Sequence, residues 1–159
     1  FNGDIASSGK VNNLILNQTI DNFNIKELNN SLDVKNFDIS FARGLSLEDG
    51  CATITKYTAY LISEGLKKID EINKLKTVNL YLCGGGRKNK TLIKNIDEYL
   101  NNKKITLKNI DEYEFDGDFI ESQAFAYLAI RSYLGLPISY PNTTRTLRPI
   151  SGGVIKKNY

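Results

Sequence analysis

With 159 residues, 41% of them hydrophobic, the chain can bury a real core as one globular domain, and its net charge of +3 comes from Lys scattered among many Asp and Glu. That dispersion argues against a nucleic-acid binder, which concentrates basic residues in a stripe with interleaved aromatics. No apolar run approaches the roughly 20 residues of a membrane span, and two cysteines without a CxxC spacing and no histidine exclude most zinc sites and all His-based catalysis.

Residues 1–9, FNGDIASSG, read as loop, and the spacing predicts a short helix over 10–18. Residues 22–40 carry weak signals and read as loop with at most a turn of helix. The strongest helix follows. Ser46 can cap it and Glu48 and Asp49 suit its first turn. Cys51, Ile54, Tyr57, Thr58, Leu61, Ile62 and Leu66 recur at helical spacing, up to an end near Lys68. A strand over 78–83 comes next, with Val78, Leu80 and Leu82 in alternation. It stops at Gly84, Gly85 and Gly86, and a helix over 90–100 begins after Asn89, with Leu92, Ile93, Ile96 and Leu100 on one face. A second short strand is expected at 104–107 and an acidic loop at 111–118. Residues 119–134, FIESQAFAYLAIRSYL, predict a helix with almost no polar face, the kind usually sandwiched inside a domain. Gly135 and Pro137 stop it, and an extended tail follows. Helices alternate with strands, so the fold class is α/β. Cys51 and Cys83, in apolar helix and strand contexts, are expected to be buried free thiols of a reducing compartment.

The glycine run is the most informative feature. It strips side chains from the junction of strand and helix, so another molecule can lie against bare backbone, and φ > 0 is available there. The helix N-terminus that follows suits phosphate or a flat polar ring. Neither G-x-G-x-x-G nor the P-loop spacing is present, so the run taken alone reads first as a tight strand-to-helix turn and second as a ligand site. Asn89 reads first as the N-cap of that helix and second as a ligand contact. Among carboxylates, Glu48 and Asp49 are helix-start charges, and Asp116 and Asp118 read as loop and capping groups.

LYLCGGGRKN, DGDFIESQAFAYLAIRSYLGLPISYPNTT and RPISGGV resemble, in that order, the carboxy-terminal half of an anhydro-N-acetylmuramic acid kinase. FNGDIASSGKVN and FARGLSLEDGCATITKYTAYLI resemble earlier parts of the same half, so the resemblance runs from end to end. It implies a ribonuclease-H-like α/β domain of the sugar kinase/actin/Hsp70 superfamily, with a mixed sheet and packed helices. Residues 1–159 would form the carboxy-terminal, nucleotide-contacting lobe. The implied enzyme hydrolyses the 1,6-anhydro ring of anhydro-N-acetylmuramic acid and phosphorylates O6 from ATP with Mg²⁺. The product is N-acetylmuramate 6-phosphate, an intermediate of cell-wall recycling in the cytoplasm. The family's glycine-rich phosphate loop and its aspartate base lie in the other half. This chain starts at Phe1 and holds no Met, so it is expected to be a piece of something longer, inactive alone.

By the same resemblance Gly84, Gly85 and Gly86 lie against the adenosine, with Asn89 at the helix mouth. Glu121 matches the Glu of the family's D-x-x-E-A-x-A-F-A pattern and would face the sugar cleft, positioning substrate or water. Ala124, Phe125, Ala126 and Ala129 would pack that helix against the sheet. Two departures stand out: Val34 where the family commonly has Arg, and Arg145 where it often has Gly. The expected partners are the sugar and ATP, with a second copy of the chain as the candidate for self-association and neither nucleic acid nor membrane. The alternatives are a stand-alone nucleotide- or muropeptide-binding module, or another sugar kinase of the superfamily.

Overall fold

A computed structural model describes residues 2–23, 37–73, 77–101, 104–154 and 156. Val34, Lys103 and Lys157 lie outside the described residues, as does most of the weakly patterned 22–40 stretch. The chain divides into two compact units, Phe1–Asn109 and Ile110–Tyr159.

The first unit opens with two short helices, α1 (Asp4–Ser8) and α2 (Asn13–Asn22), where one helix over 10–18 was expected. The Asn12 side chain accepts from the Ile15 N–H and so starts α2 afresh after Gly9. A 3₁₀ turn, Ser40–Ala42, leads to the long helix α3 (Leu47–Asn73). Ser46 caps α3 as its position suggests, accepting from the Asp49 N–H at 3.1 Å. The helix continues past Lys68, further than its charge pattern indicated. Then come β1 (Val78–Leu82), a 3₁₀ turn at Gly85–Lys88, α4 (Lys90–Leu100) and β2 (Ile105–Asn109).

The two strands pair in parallel, Val78 opposite Ile105 and Leu82 opposite Asn109. A parallel pair needs a long crossover, which α4 supplies. The mixed sheet expected from the resemblance is thus not found among the described residues, where the one sheet is this parallel pair. The class is α/β, with a small parallel sheet and packed helices.

The core sits where α3 meets α4 and β2. Ala59, Ile96, Leu100 and Ile105 are buried, with Leu66, Leu80, Leu92, Ile93, Tyr99 and Leu107 packed around them. The buried face of α3 is made mostly of small residues, with Tyr57 the one large side chain among them. Ala52, Thr53, Ala59 and Ser63 are buried, and Ser63 donates to the Ile96 carbonyl at 3.4 Å. Thr53 accepts from the Asn12 N–H at 3.0 Å and donates to the Asp49 carbonyl at 2.7 Å, tying α2 to α3. Lys56 reaches from α3 to Glu98 at 2.6 Å and to the Asn95 amide oxygen at 3.1 Å, its ammonium lying over the Tyr99 ring 4.8 Å from the centroid.

The second unit holds a 3₁₀ turn at Ile110–Tyr113, helix α5 (Ile120–Tyr133), the single turn α6 (Pro141–Thr144) and an antiparallel bridge between Ser139 and Ile150. Arg131 pins α5 to its own tail. It donates to the Pro137 carbonyl at 2.7 Å and to the hydroxyls of Tyr140 at 2.8 Å and Tyr127 at 3.1 Å. The expectation of a sandwiched helix fails here: no residue of α5 is buried, and Ala124, Phe125, Ala126 and Ala129 are exposed instead of packed on a sheet. The tail lies against α5 on the side of Arg131 and Ser132.

Candidate functional site

The glycine bend is built by the two elements it joins. β1 ends at Leu82 because the chain must turn, and Gly84 turns it at φ 74° and ψ 175°, a region essentially closed to residues with a Cβ. Arg87 then holds the bend closed. Its guanidinium donates to the Gly84 carbonyl at 2.9 Å, and its backbone N–H reaches the same oxygen at 3.3 Å.

Among the described residues nothing fills the outside of the bend. A Cβ built on Gly84 or Gly85 meets no atom within 4 Å, and one built on Gly86 meets only the tip of Leu92 at 3.9 Å. All three glycines are exposed. The chain therefore presents a strip of bare main chain at the end of a parallel strand. Cys83 beside it is exposed as well, which corrects the expectation of a buried thiol; Cys51 on α3 is half-buried. The strand's alternation accounts for this, since Cys83 falls one residue beyond β1, where inward pointing is no longer imposed.

The helix mouth differs from its sequence reading. Asn89 is the N-cap of α4, its side-chain oxygen accepting from the Leu92 N–H at 3.0 Å. The Lys90 N–H donates to the Asn2 carbonyl at 3.1 Å, and Thr91 donates to the Gly3 carbonyl at 3.2 Å. Gly3, at φ 88°, passes so close that a Cβ there would overlap the Asn89 amide. The amino-terminal stretch thus takes up the Lys90 N–H and the Thr91 hydroxyl, two donors that would otherwise attract a phosphate. What the bend offers a ligand is the glycine backbone and the remaining Asn89 amide N–H groups. This contact was not legible, because it links residues almost ninety positions apart.

A groove of about 870 Å³ runs elsewhere in the unit, between α4 and β2, lined by Lys90, Lys94, Asp97, Glu98, Ile105 and Leu107. It includes none of the glycines and mixes both charges. It marks the uncovered flank of β2 and lacks convergent polar groups.

Glu121 lies in the other unit, in the first turn of α5, exposed. The turn before it is organised by Asp116, whose carboxylate accepts from the Asp118 N–H at 2.9 Å, while Asp111 accepts from the Gly117 N–H at 2.8 Å. These two aspartates hold the loop; Glu121 is left to solvent. Arg145 does adopt the left-handed conformation that a glycine would favour, at φ 56°. Among the described residues no group of three or more His, Cys, Asp or Glu side chains is placed to hold a metal ion, and no helix is long and apolar enough to cross a membrane.

The family model for anhydro-N-acetylmuramic acid kinase matches residues 2–158. The anhydro-N-acetylmuramic acid kinase of Pelagibacter ubique (strain HTCC1062) is 50% identical over 162 residues, covering 99% of this chain and 42% of that protein. That of Rhizorhabdus wittichii is 38% identical over 154 residues, covering 96% of this chain and 40% of its own. That of Methylorubrum populi is 36% identical over 127 residues, covering 80% and 32% respectively. The chain spans about two-fifths of the length of the first two of these curated relatives.

Proposed function

This chain belongs to the anhydro-N-acetylmuramic acid kinase family, and from that premise we propose that residues 1–159 form the carboxy-terminal lobe of a two-lobed, ATP-dependent sugar kinase. The complete enzyme opens the 1,6-anhydro ring of anhydro-N-acetylmuramic acid with water and phosphorylates O6, giving N-acetylmuramate 6-phosphate for cell-wall recycling in the cytoplasm. The observation that supports this most is the unfilled Gly84–Gly86 bend, set in a chain that the family model matches almost throughout.

The chemistry divides between the lobes. Phosphoryl transfer rests on positioning and on stabilising charge. Here the backbone of Gly84, Gly85 and Gly86 lies along the adenine and ribose, where any side chain would hold the nucleotide off. Asn89 keeps its oxygen on α4 and can donate only its amide N–H groups outward. Glu121 faces the sugar cleft as a positioning group for substrate or water. Mg²⁺, when bound, would neutralise charge on the phosphates; among the described residues no group of three or more His, Cys, Asp or Glu side chains is placed to hold it. The aspartate that activates water belongs to the other lobe.

Labelling kinetics at Cys83 test the nucleotide part. ATP or ADP should slow alkylation of Cys83 at least tenfold and leave Cys51 unaffected, since only Cys83 adjoins the glycines. Unchanged labelling at saturating nucleotide would remove the adenosine assignment. Sugar and ATP added to the chain alone should give no phosphorylated product, and product formation would overturn the division between lobes.

A further inference from the structure

A second hollow, of about 330 Å³, lies within the first unit between α1 and the opening turns of α3 and α4. It shares no residue with the Gly84–Gly86 bend, and all its walls belong to that one unit. Glycines hold α1 close at both ends. A Cβ on Gly3 would overlap the Asn89 amide, and one on Gly9 would overlap the Glu48 carbonyl. The hollow is what remains between these contacts, with Ala6, Val11 and Ala52 as its apolar wall. Asn95 stands in the opposite, polar wall. Its amide oxygen accepts from the Lys56 ammonium at 3.1 Å, and an ammonium can only donate, so the NH₂ end turns away from Lys56. Asn95 is 9% exposed, and among the described residues that NH₂ has no hydrogen-bond partner. A buried polar group in that state calls for an explanation. Nor is it sealed off, since Thr146 Oγ1 is the one enclosed side-chain polar atom without a partner among the described residues. The NH₂ therefore opens into the hollow that Asn95 lines.

We propose that this hollow binds a small hydroxy-carboxylate, a ligand separate from the sugar and the nucleotide. The charge of the wall selects the carboxylate. The Lys90 and Lys94 side chains border the hollow, and among the described residues no Asp or Glu lines it. Lys94 is 3.9 Å from Glu98, but Lys56 already neutralises that carboxylate at 2.6 Å, so Lys94 is loosely held. One fixed amide and two mobile ammoniums match the two oxygens of a carboxylate. Phosphate would need more donors, and the nearby N–H groups of Lys90 and Leu92 are already taken. The hydroxyls of the wall select the second group. Ser7 donates to the Asp4 carbonyl at 2.7 Å and Thr91 to the Gly3 carbonyl at 3.2 Å, so both oxygens are left to accept. A ligand hydroxyl can donate to them, whereas a ligand ammonium would meet two lysines. Size sets the rest: at about 30 Å³ for each water-sized group the hollow admits roughly ten non-hydrogen atoms.

Nuclear magnetic resonance of the whole chain tests this, with β-hydroxybutyrate as the probe and the Asn95 side-chain NH₂ and Thr91 backbone N–H as reporters. The acid should move both signals saturably, with a millimolar dissociation constant that suits so small a ligand. Isopropanol and inorganic phosphate should leave them in place, and butyrate, without the hydroxyl, should bind at least threefold more weakly. Asn95→Asp keeps a partner for Lys56 and, followed at Thr91, should weaken binding at least tenfold. Lys90→Gln with Lys94→Gln alters only exposed side chains, so the fold stays, and should weaken binding at least fivefold. Signals that never saturate, or that phosphate or isopropanol moves equally, would overturn the proposal. So would butyrate binding as tightly as the hydroxy acid, or full affinity in the lysine variant. Displacement of the acid by ATP would overturn it as well, because the hollow would then be part of the nucleotide site. The kinase reading is decided apart from all of these, by the labelling of Cys83.

Discussion

The two units solve the problem of burying apolar surface in opposite ways. In Phe1–Asn109, α3 brings Ala59 and Ser63, both fully buried, against α4, and Ile96, Leu100 and Ile105 close over them. In Ile110–Tyr159 the richest apolar helix of the chain has its Phe, Ile and Tyr side chains in water. The first unit therefore holds its shape through close packing, and the second through polar fastenings: Arg131 to the tail, Asp116 and Asp111 to the loop. Hydrophobic content alone does not predict where a core is. A core also needs a facing element, and small residues that let the two approach.

The sharpest way to break this contrast is to delete the same side chain in each unit. Ile96→Ala leaves a void among packed neighbours and should cost about 2–5 kcal/mol in chemical unfolding. Ile130→Ala removes atoms already in contact with solvent and should stay within about 0.5 kcal/mol in the isolated chain. Comparable losses would mean that α5 is covered in the isolated chain, and the contrast would be gone.

A backbone test comes next in size. Gly84→Ala places a Cβ at φ 74° and ψ 175°, at a cost of about 1–3 kcal/mol. Gly85→Ala meets open space at ordinary φ and should leave stability nearly unchanged. Both should weaken nucleotide binding if the bend is an adenosine shelf, which separates strain from ligand contact. Isothermal titration beside thermal unfolding reads the two effects independently.

The same positions show what could be read from residue order. The β1–α4–β2 segment was legible because its signals are local and agree: alternation in the strand, an Asn at the cap, one apolar face on the helix. The α/β class and the family follow from that segment and from the long ordered motifs around it. The packed face of α3 was legible only in part, since periodicity selects Tyr57, which is buried, along with Ile62, which is exposed, and passes over the buried small residues Ala52, Thr53, Ala59 and Ser63. The Asn2 and Gly3 contacts at the mouth of α4 depend on chain closure over the whole first unit. For α5 the composition was read correctly as apolar, but its surroundings were not, because what a helix face meets is decided by other elements. The candidate site divides in the same way. The glycines and Asn89 form a local turn that sequence can locate, whereas the role of Glu121 depends on what its exposed first turn meets.

Arg145 offers a smaller effect of opposite sign. At φ 56° it occupies a conformation that costs an L residue energy, and Arg145→Gly should stabilise the second unit by up to about 1 kcal/mol, less the added flexibility of glycine when unfolded. Hydrogen exchange at the amides of α6 would show it as slower opening. A destabilised turn would mean that contacts of the Arg145 side chain outweigh the backbone strain.

The smallest expected effect compares the polar fastening inside the well-packed unit with those of the other. Lys56 donates to Glu98 at 2.6 Å across the α3–α4 interface, and the bond to Lys56, followed by its charge, lowers the Glu98 pKa below the ordinary carboxylate range. A carboxyl depressed in the folded state contributes stability above its unfolded pKa and loses that contribution as the pH falls through the folded one. The pair should therefore stabilise the protein at neutral pH and stop doing so under acid conditions. Glu98 is about half exposed, so screening holds the contribution to about 0.2–1 kcal/mol. Lys56→Met keeps an unbranched apolar side chain but removes the ammonium, and should lower stability by that amount at pH 7, with the difference from wild type narrowing as the solution is acidified. A difference independent of pH would assign the role of Lys56 to its packing on Tyr99 and its bond to Asn95, and the first unit would then owe nothing measurable to the ion pair.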